Sequence, residues 1–493
     1  MDAGAQRRAD TRATDEYGIP SMLLMERAGG EAARDIAEAY DDHDVLVVVG
    51  PGNNGGDGMV VARYLAEAGR AVRVAVLADA PRRGDAGVMS QIAERMGIPI
   101  APLDEPWPGR GVVVDALLGT GARGAPREDV ARAIEAINGH PGPVVSLDVP
   151  SGVDASTGVV EGLAVRADRT VTFGADKVGL RVAPGRTMAG HVEIVPIGIP
   201  DAVEEAPRAL RATAAMVNGI PHKDAGGEKY GAGAVLVVGG SRGMTGAPAL
   251  AARAVLRAGG GLVVVASPGR VQPLVAGTIP EAMVMPLGAE RERLHPDDVA
   301  EVLAQAGRVG ALALGPGLGR ADETTDAVHR LITSVALPLV IDADALWHLG
   351  ARPGHLAERS APTVLTPHSG EAARLLGVGR SEVEARRLDA ADELARITGA
   401  LVVLKGPGTI VAADGELPIV NDTGGSALST AGTGDVLTGV VSALLARGLA
   451  PRHAAAMGVA LHGLAGEVCL HGDGSIAGDI ADALPAARSG PGG

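Results

Sequence analysis

Thr430-Ala431-Gly432-Thr433-Gly434-Asp435-Val436-Leu437-Thr438-Gly439 closes a glycine-rich stretch that opens at Asn421-Asp422-Thr423-Gly424-Gly425 and runs straight into an apolar segment with helical spacing. Glycines ahead of a helix leave backbone N–H groups unshielded where the helix dipole favours negative charge, so Gly432, Thr433 and Gly434 read as an anion site. A carboxylate among them is out of place unless it acts on the ligand. Asp435 can take the proton of a substrate hydroxyl while the adjacent N–H groups stabilise a phosphoryl group in transit, which describes phosphoryl transfer to an alcohol. The plainer alternative is a glycine-rich helix start with Asp435 as an ordinary first-turn residue.

Working outward, continuous apolar runs bounded by turn residues recur at 45–49, 72–77, 111–114, 144–147, 234–238, 262–266, 311–314, 339–341, 363–365 and 401–404, alternating with helical patterns such as 22–40, 59–68, 129–137 and 248–257. Runs apolar at every position are strands buried on both faces, and alternation with helices predicts parallel α/β sheets. At 493 residues the chain is long for one core, so two domains are expected. The acidic, alanine-rich segment 201–211 carries no strand pattern and places the boundary near Arg211, giving domains 1–211 and 212–493.

Hydrophobic residues make up 46% but aromatic ones only 1%, so the cores are expected to be aliphatic, and the 72 glycines suit many strand-to-helix turns. A formal charge of −15 argues against general binding to nucleic acid or an anionic membrane. Four lysines stand out by their scarcity: Lys177, Lys223, Lys229 and Lys405. The single cysteine, Cys469, excludes an internal disulfide and is expected to be buried filler. With no signal-peptide pattern and no apolar run of spanning length, a soluble cytoplasmic protein is expected. A homo-oligomer, a tetramer, is expected as well.

Gly50-Pro51-Gly52-Asn53-Asn54-Gly55-Gly56-Asp57-Gly58 reads as a loop between a strand and a helix. It matches G-x-G-x-x-G, and Asp79 follows the next strand, so a dinucleotide-binding unit is a rival reading. Asp57 would repel a pyrophosphate there, whereas the Asn53 and Asn54 oxygens suit a hard cation. Asp115, Asp148 and Ser151 also follow strands, where ligands of open parallel sheets collect. Each alone reads as a cap or turn residue; together they form an oxygen-rich pocket.

In the second half, Gly246 and Ala247 allow close approach of a flat ring. Gly317 lies in a strand-to-loop turn, and Asp342 is either linked to the site or a helix-start carboxylate. His368 is singled out from the 12 histidines. In Lys405-Gly406-Pro407-Gly408-Thr409 a lysine and bare backbone can hold nucleotide phosphates. The P-loop pattern G-x-x-x-x-G-K-[ST] is absent, which excludes that class of kinase.

Ala431 to Asp435, together with residues 241–248, 365–371 and 405–409, resembles the ADP/ATP-dependent NAD(P)H-hydrate dehydratases of the ribokinase superfamily. Residues 51–58, 115–121, 148–152 and 173–180 resemble the NAD(P)H-hydrate epimerases. The resemblance covers nearly the whole chain. It implies a Rossmann-like three-layer sandwich followed by a ribokinase-like one, and a metabolite-repair enzyme: an isomerase interconverting R- and S-hydrates, and a lyase that uses ADP, or ATP, with magnesium to dehydrate the S-hydrate. It further implies potassium at Asn54, Asp115 and Ser151. Hydrate in the first domain would be lined by Asn53, Asn54, Gly55, Gly56, Asp57, Gly119, Thr120, Gly121, Ala122, Arg123, Gly124, Ala125 and Asp148. In the second it would be contacted by Ala247, Gly317, His368 and Asp435. Nucleotide would lie at Lys405 to Thr409 and Gly434, with Asp435 as base. Either Asp148 or Asp115 is the acid/base of epimerisation, which needs ring opening or loss and return of water. The acidic segment 224–228 is longer than the family leads one to expect and leaves Lys223 unassigned. The alternatives are a vitamin-type small-molecule kinase with a regulatory first half, and a non-catalytic nucleotide-binding protein.

Overall fold

The computed structural model describes residues 1–41, 43–77, 83–103, 109, 111–203, 205–224, 226, 231–350 and 353–489; Asp79 and Lys229 lie outside them. The chain divides into two compact units, Met1–Ala209 and Leu210–Gly493. In the first, the strands β1 (Val45–Val49), β2 (Val72–Val76), β3 (Ile100–Pro102), β4 (Val112–Ala116), β5 (Val144–Leu147), β6 (Arg169–Phe173) and β7 (His191–Val195) form one sheet in the order 3-2-1-4-5-6-7. Every pairing is parallel. Along β1, Val45, Val47 and Val49 enter one core and Leu46 and Val48 another. Helices Ser21–Ala39 and Asn53–Glu67 supply the first core, and Glu128–Asn138 the second. The unit is therefore a three-layer sandwich, and the strand order reverses beside β1 and β4, where parallel sheets open a crevice at their carboxyl ends.

The stretch 53–58, read as a loop, is helical: the helix starts at Asn53, not at residue 59. Its glycines are required by packing rather than by backbone freedom. A Cβ on Gly55 would lie 2.0 Å from the Gly50 carbonyl oxygen, one on Gly56 2.7 Å from Met25 Sδ, and one on Gly58 2.7 Å from the Ala116 Cβ. Close approach to the sheet and to the neighbouring helix overrides the poor helix propensity of glycine.

In the second unit β8 (Leu210–Ala212), β9 (Ala234–Val238), β10 (Leu262–Pro268), β11 (Met283–Leu287), β12 (Ala311–Leu314), β13 (Leu339–Ile341), β14 (Thr363–Leu365), β15 (Leu401–Leu404), β16 (Ile410–Ala412) and β17 (Ile419–Asn421) line up as 11-10-9-12-13-14-15-16-17-8. Only β16 runs antiparallel to its neighbours. Helices Gly246–Arg257, Thr433–Ala446, Pro451–Val468 and Ala477–Ser489 bury one face in an aliphatic core with Val235, Val237, Ala313 and Val340. The intervening Leu236, Val238, Leu312 and Leu314 are buried on the other face. Two expectations are corrected here. Leu210–Ala212, assigned no strand, pairs in parallel with β17, because its short edge register reflects a partner far along the chain. Cys469 is half-buried rather than core, its Sγ 3.2 Å from Ser475 Oγ.

Candidate active sites

At the carboxyl ends of β1, β4 and β5 a cleft of about 570 Å³ opens in the first unit. Its wall takes in Asn53, Asn54, Asp57, Gly119, Thr120, Gly121, Ala122 and Asp148, together with Gln6 and Asp10 of the helix Ala3–Asp15. Arg123 and Gly124 line a small crevice beside it. Gly55 and Gly56 face inward to packing, and Ala125 is exposed and lines neither.

Asp115 is fully buried and lines neither space. One of its oxygens accepts from Ser151 Oγ at 2.6 Å and the Leu117 N–H at 3.2 Å. The other accepts from Ser146 Oγ and the Ser151 N–H, both at 2.9 Å. The Leu118 N–H donates to Ser151 Oγ at 2.9 Å, and the Leu118 carbonyl accepts from Asn54 Nδ2 at 2.8 Å. Leu118 thus draws Asn54, Ser151 and Asp115 into one oxygen cluster. Within it Asn54 Oδ1 is buried and has no hydrogen-bond partner among the described residues. An orphaned acceptor beside a carboxylate is costly in the bare protein and fits a cation with oxygen ligands.

Asp148 lies in the left-handed region, φ 66°, a conformation that stores strain and clusters at functional sites. Its Oδ1 receives Lys177 Nζ at 2.7 Å, and the same ammonium donates to the Phe173 carbonyl at 2.6 Å. Lys177 is completely buried. Asp57 also faces the cleft, and burial, then the charges of Asp148 and Asp10, push its carboxyl well above the ordinary range. The cleft therefore presents a lysine-paired carboxylate beside a carboxyl that burial and its acidic neighbours push upward.

In the second unit the site gathers where β12 to β15 end. The helix Thr433–Ala446 begins after Gly432, which caps it at φ 93°. Asp342 is a helix-start residue by position, yet its side chain makes no cap bond. Instead Asp342 Oδ1 receives Lys405 Nζ at 2.8 Å and Oδ2 receives Thr438 Oγ1 at 2.7 Å. The capping alternative is thereby set aside. Burial works to raise Asp342, but Lys405 and the hydroxyls of Thr438 and Thr366 outweigh it and hold the carboxyl below its ordinary value. A Cβ on Gly434 would lie 3.2 Å from Lys405 Nζ, so the ammonium sits directly under the first turn of the helix.

Asp435, in that turn, is pushed up to about 7 by burial and by Asp342, against the pull of Lys405. Glu371 is likewise raised to about 7, by burial and by Asp342 against Lys405. It caps its own helix with His368: His368 Nδ1 accepts from the Gly370 and Glu371 N–H groups at 3.0 and 3.2 Å, and the His368 N–H donates to Glu371 at 2.9 Å. The His368 ring is exposed. Gly317, φ 67°, stands against Ala247: a Cβ on it would lie 3.3 Å from the Ala247 Cβ and 2.5 Å from the Met244 carbonyl oxygen. Pro367 accepts from the Lys405 N–H at 2.8 Å, tying the 405–409 loop to the His368 segment. The role of Lys177 behind Asp148 and the raised Glu371 were not assigned from sequence, though the rarity of lysine marked Lys177.

Residues 235–485 match the family described as NAD(P)H-hydrate dehydratase, and residues 21–179 that described as YjeF-related protein N-terminus. The bifunctional NAD(P)H-hydrate repair enzyme of Moorella thermoacetica is 40% identical over 98% of this chain and 96% of its own. That of Escherichia coli is 36% identical over 94% of this chain and 88% of its own. A ribokinase-like superfamily protein from Enterococcus faecalis shares the fold of the second unit, with a TM-score of 0.51 and 23% identity, covering 58% of this chain and 97% of that one. Among the described residues no helix is long and apolar enough to cross a membrane. With matching family models in both halves and relatives aligned over nearly its whole length, the chain belongs to the family of bifunctional NAD(P)H-hydrate repair enzymes.

Proposed function

We propose that the chain repairs hydrated NADH and NADPH in two steps, with residues 1–211 interconverting the R- and S-hydrates and residues 212–493 dehydrating the S-hydrate at the expense of ADP or ATP. The observation that carries the second step is Asp435, at about 7, in the first turn of a helix beside whose N-terminus Asp342 holds the Lys405 ammonium. A base poised near neutral pH, next to N–H groups and an ammonium, suits attack by an alcohol on a terminal phosphoryl group. Asp435 takes the proton of the ring hydroxyl as its oxygen bonds to phosphorus and AMP, or ADP, departs. The ring C–O bond then breaks with phosphate as leaving group, the neighbouring carbon gives up a proton, and the double bond returns. Hydroxide would leave far less readily than phosphate. Lys405 and Gly434 hold the nucleotide phosphates, Gly406 to Thr409 line them with backbone, and His368, Gly317 and Ala247 border the ring. Magnesium bound with the nucleotide would supply charge neutralisation on the phosphates, and Glu371, which makes no ion pair with Lys405, is a carboxylate that would hold it.

In the first unit Asp148, not Asp115, fits the acid/base role, because it faces the cleft while Asp115 is spent on Ser146 and Ser151. Either route of epimerisation needs one group to take a proton and one to give it; Asp148 takes it, and Asp57, whose carboxyl is pushed upward by burial, is the group placed to give one. Asn54, Asp115 and Ser151 would hold potassium, which supplies charge neutralisation at Asp115. The donor set fits because Asn54 Oδ1 lacks any other partner among the described residues. Family membership over the whole chain disfavours the kinase and binding-protein alternatives. Stoichiometry tests the reading: S-hydrate and ADP should yield NADH, AMP and phosphate one for one. Accumulation of a phosphorylated hydrate would instead favour the kinase.

A further inference from the structure

The nucleotide site read above has an electrostatic deficit. Lys405 is neutralised by Asp342, and Asp435 and Glu371 add carboxylates beside it. A nucleoside di- or triphosphate, even with one magnesium ion bound to it, brings further net negative charge, which the partial charge of one helix N-terminus does not balance.

Arg387 stands behind the 405–408 loop. It opens the helix Arg387–Thr398, is 4% exposed, and lies flat against Gly406, where a Cβ would meet Arg387 Nη1 at 2.6 Å. Its guanidinium contacts Ser369 Oγ and the carbonyls of Leu404, Lys405 and Gly408, all at 3.4 Å, and its Nε has no partner among the described residues. None of these partners is a carboxylate. The neighbouring Arg386, by contrast, is paired with Glu382 and Glu393. Contacts at 3.4 Å are at the long limit of hydrogen bonding and are weak. Burying a guanidinium without a counter-ion costs several kcal/mol, more than such contacts return. A neutral amide would tie the same carbonyls together without that cost. Burial lowers the group to about 10, opposed by Glu384, so it keeps its charge at neutral pH.

We propose that Arg387 is the counter-charge for the nucleotide's phosphates, a positioning residue that acts through the Lys405–Gly408 backbone rather than by touching the ligand. The proposal rests on the nucleotide reading of this loop. It explains a buried cation that, among the described residues, has no carboxylate in contact: the counter-ion is the anion that the loop receives.

The test is calorimetric titration of the full chain, with magnesium, using ATP, ADP, AMP and adenosine, for wild type, Arg387→Gln and Arg387→Lys. Glutamine keeps N–H donors and removes the charge; lysine keeps the charge. The Kd of Arg387→Gln should rise about tenfold for ADP, more for ATP, less for AMP, and stay within about twofold for adenosine, tenfold corresponding to about 1.4 kcal/mol. Arg387→Lys should stay within about threefold throughout. A loss equal for all four ligands, adenosine included, would mean a purely structural tie and overturn the proposal, as would no loss. If Arg387→Gln does not fold, the proposal stands or falls on Arg387→Lys: wild-type affinity across the charge series supports it, and a uniform loss overturns it. Wild-type protein that binds none of the four would overturn the nucleotide reading itself, a result distinct from failure of Arg387 alone.

Discussion

Replacing Asp435 by asparagine separates the catalytic role of this carboxyl from its structural cost. The side chain is raised from 3.8 to about 7, burial being the main cause and the Asp342 charge the second. In wild type, kcat/KM for dehydration should rise with pH through about 7 and then level, falling tenfold for each pH unit below, because the base must be ionised. Asp435→Asn should abolish that limb and lower the plateau by about 10²- to 10⁴-fold, the usual contribution of a general base. Stability should move the other way. A carboxyl raised in the fold binds a proton there that it has lost in the unfolded chain, so the wild type loses stability as pH climbs from about 4 to about 7. A rise from 3.8 to about 7 corresponds to at most about 4 kcal/mol, and partial solvent access reduces this to roughly 1–3 kcal/mol. The variant should therefore melt higher than wild type at pH 8, the gap closing toward pH 4. Stopped-flow absorbance of NADH formation against pH, with melting curves at pH 5 and 8, reads both. Dehydration retained within tenfold in the variant, with the same pH limb, would refute the assignment of Asp435 as base.

Lys177→Met should lower epimerisation by more than about 10²-fold and cost the first unit about 3 kcal/mol or more, because Asp148 is left buried without its cation; urea unfolding and the rate of exchange between hydrate epimers report the two. Asn54→Ala should weaken a potassium response: in wild type, potassium should raise the melting temperature of the first unit relative to a large organic cation, and in the variant the difference should vanish. Gly29→Ala places a Cβ 2.5 Å from the Val60 Cβ where two helices cross. Alanine gains about 1 kcal/mol in helix propensity, but overpacking costs about 1–3 kcal/mol, so the melting temperature should fall rather than rise.

Fold class and family were both legible, and for different reasons. Runs such as Val45–Val49 and Ala234–Val238 are apolar at every position because helices cover both sheet faces, and that leaves an unambiguous local signal. The short strands β8, β16 and β17 left none, since their pairing depends on partners rather than on their own three residues. The helical start at Asn53 was hidden because glycine reads locally as a breaker, while here it is demanded by contacts with Gly50, Met25 and Ala116. Asp148 and Asp115 were indistinguishable as strand-end carboxylates; exposure to the cleft separates them, and exposure is a tertiary property. The same holds for Arg387 and Lys177, whose significance lies in which charges burial left beside them.

The most direct measurement is recovery of reduced-nicotinamide absorbance from a mixture of both NADH-hydrate epimers, with ADP, with ATP and with neither. Complete recovery that requires nucleotide is the predicted result, since it needs both activities in one chain. Recovery that stalls near the S-hydrate fraction would contradict the epimerase assignment, and no recovery with either nucleotide would contradict the repair function altogether.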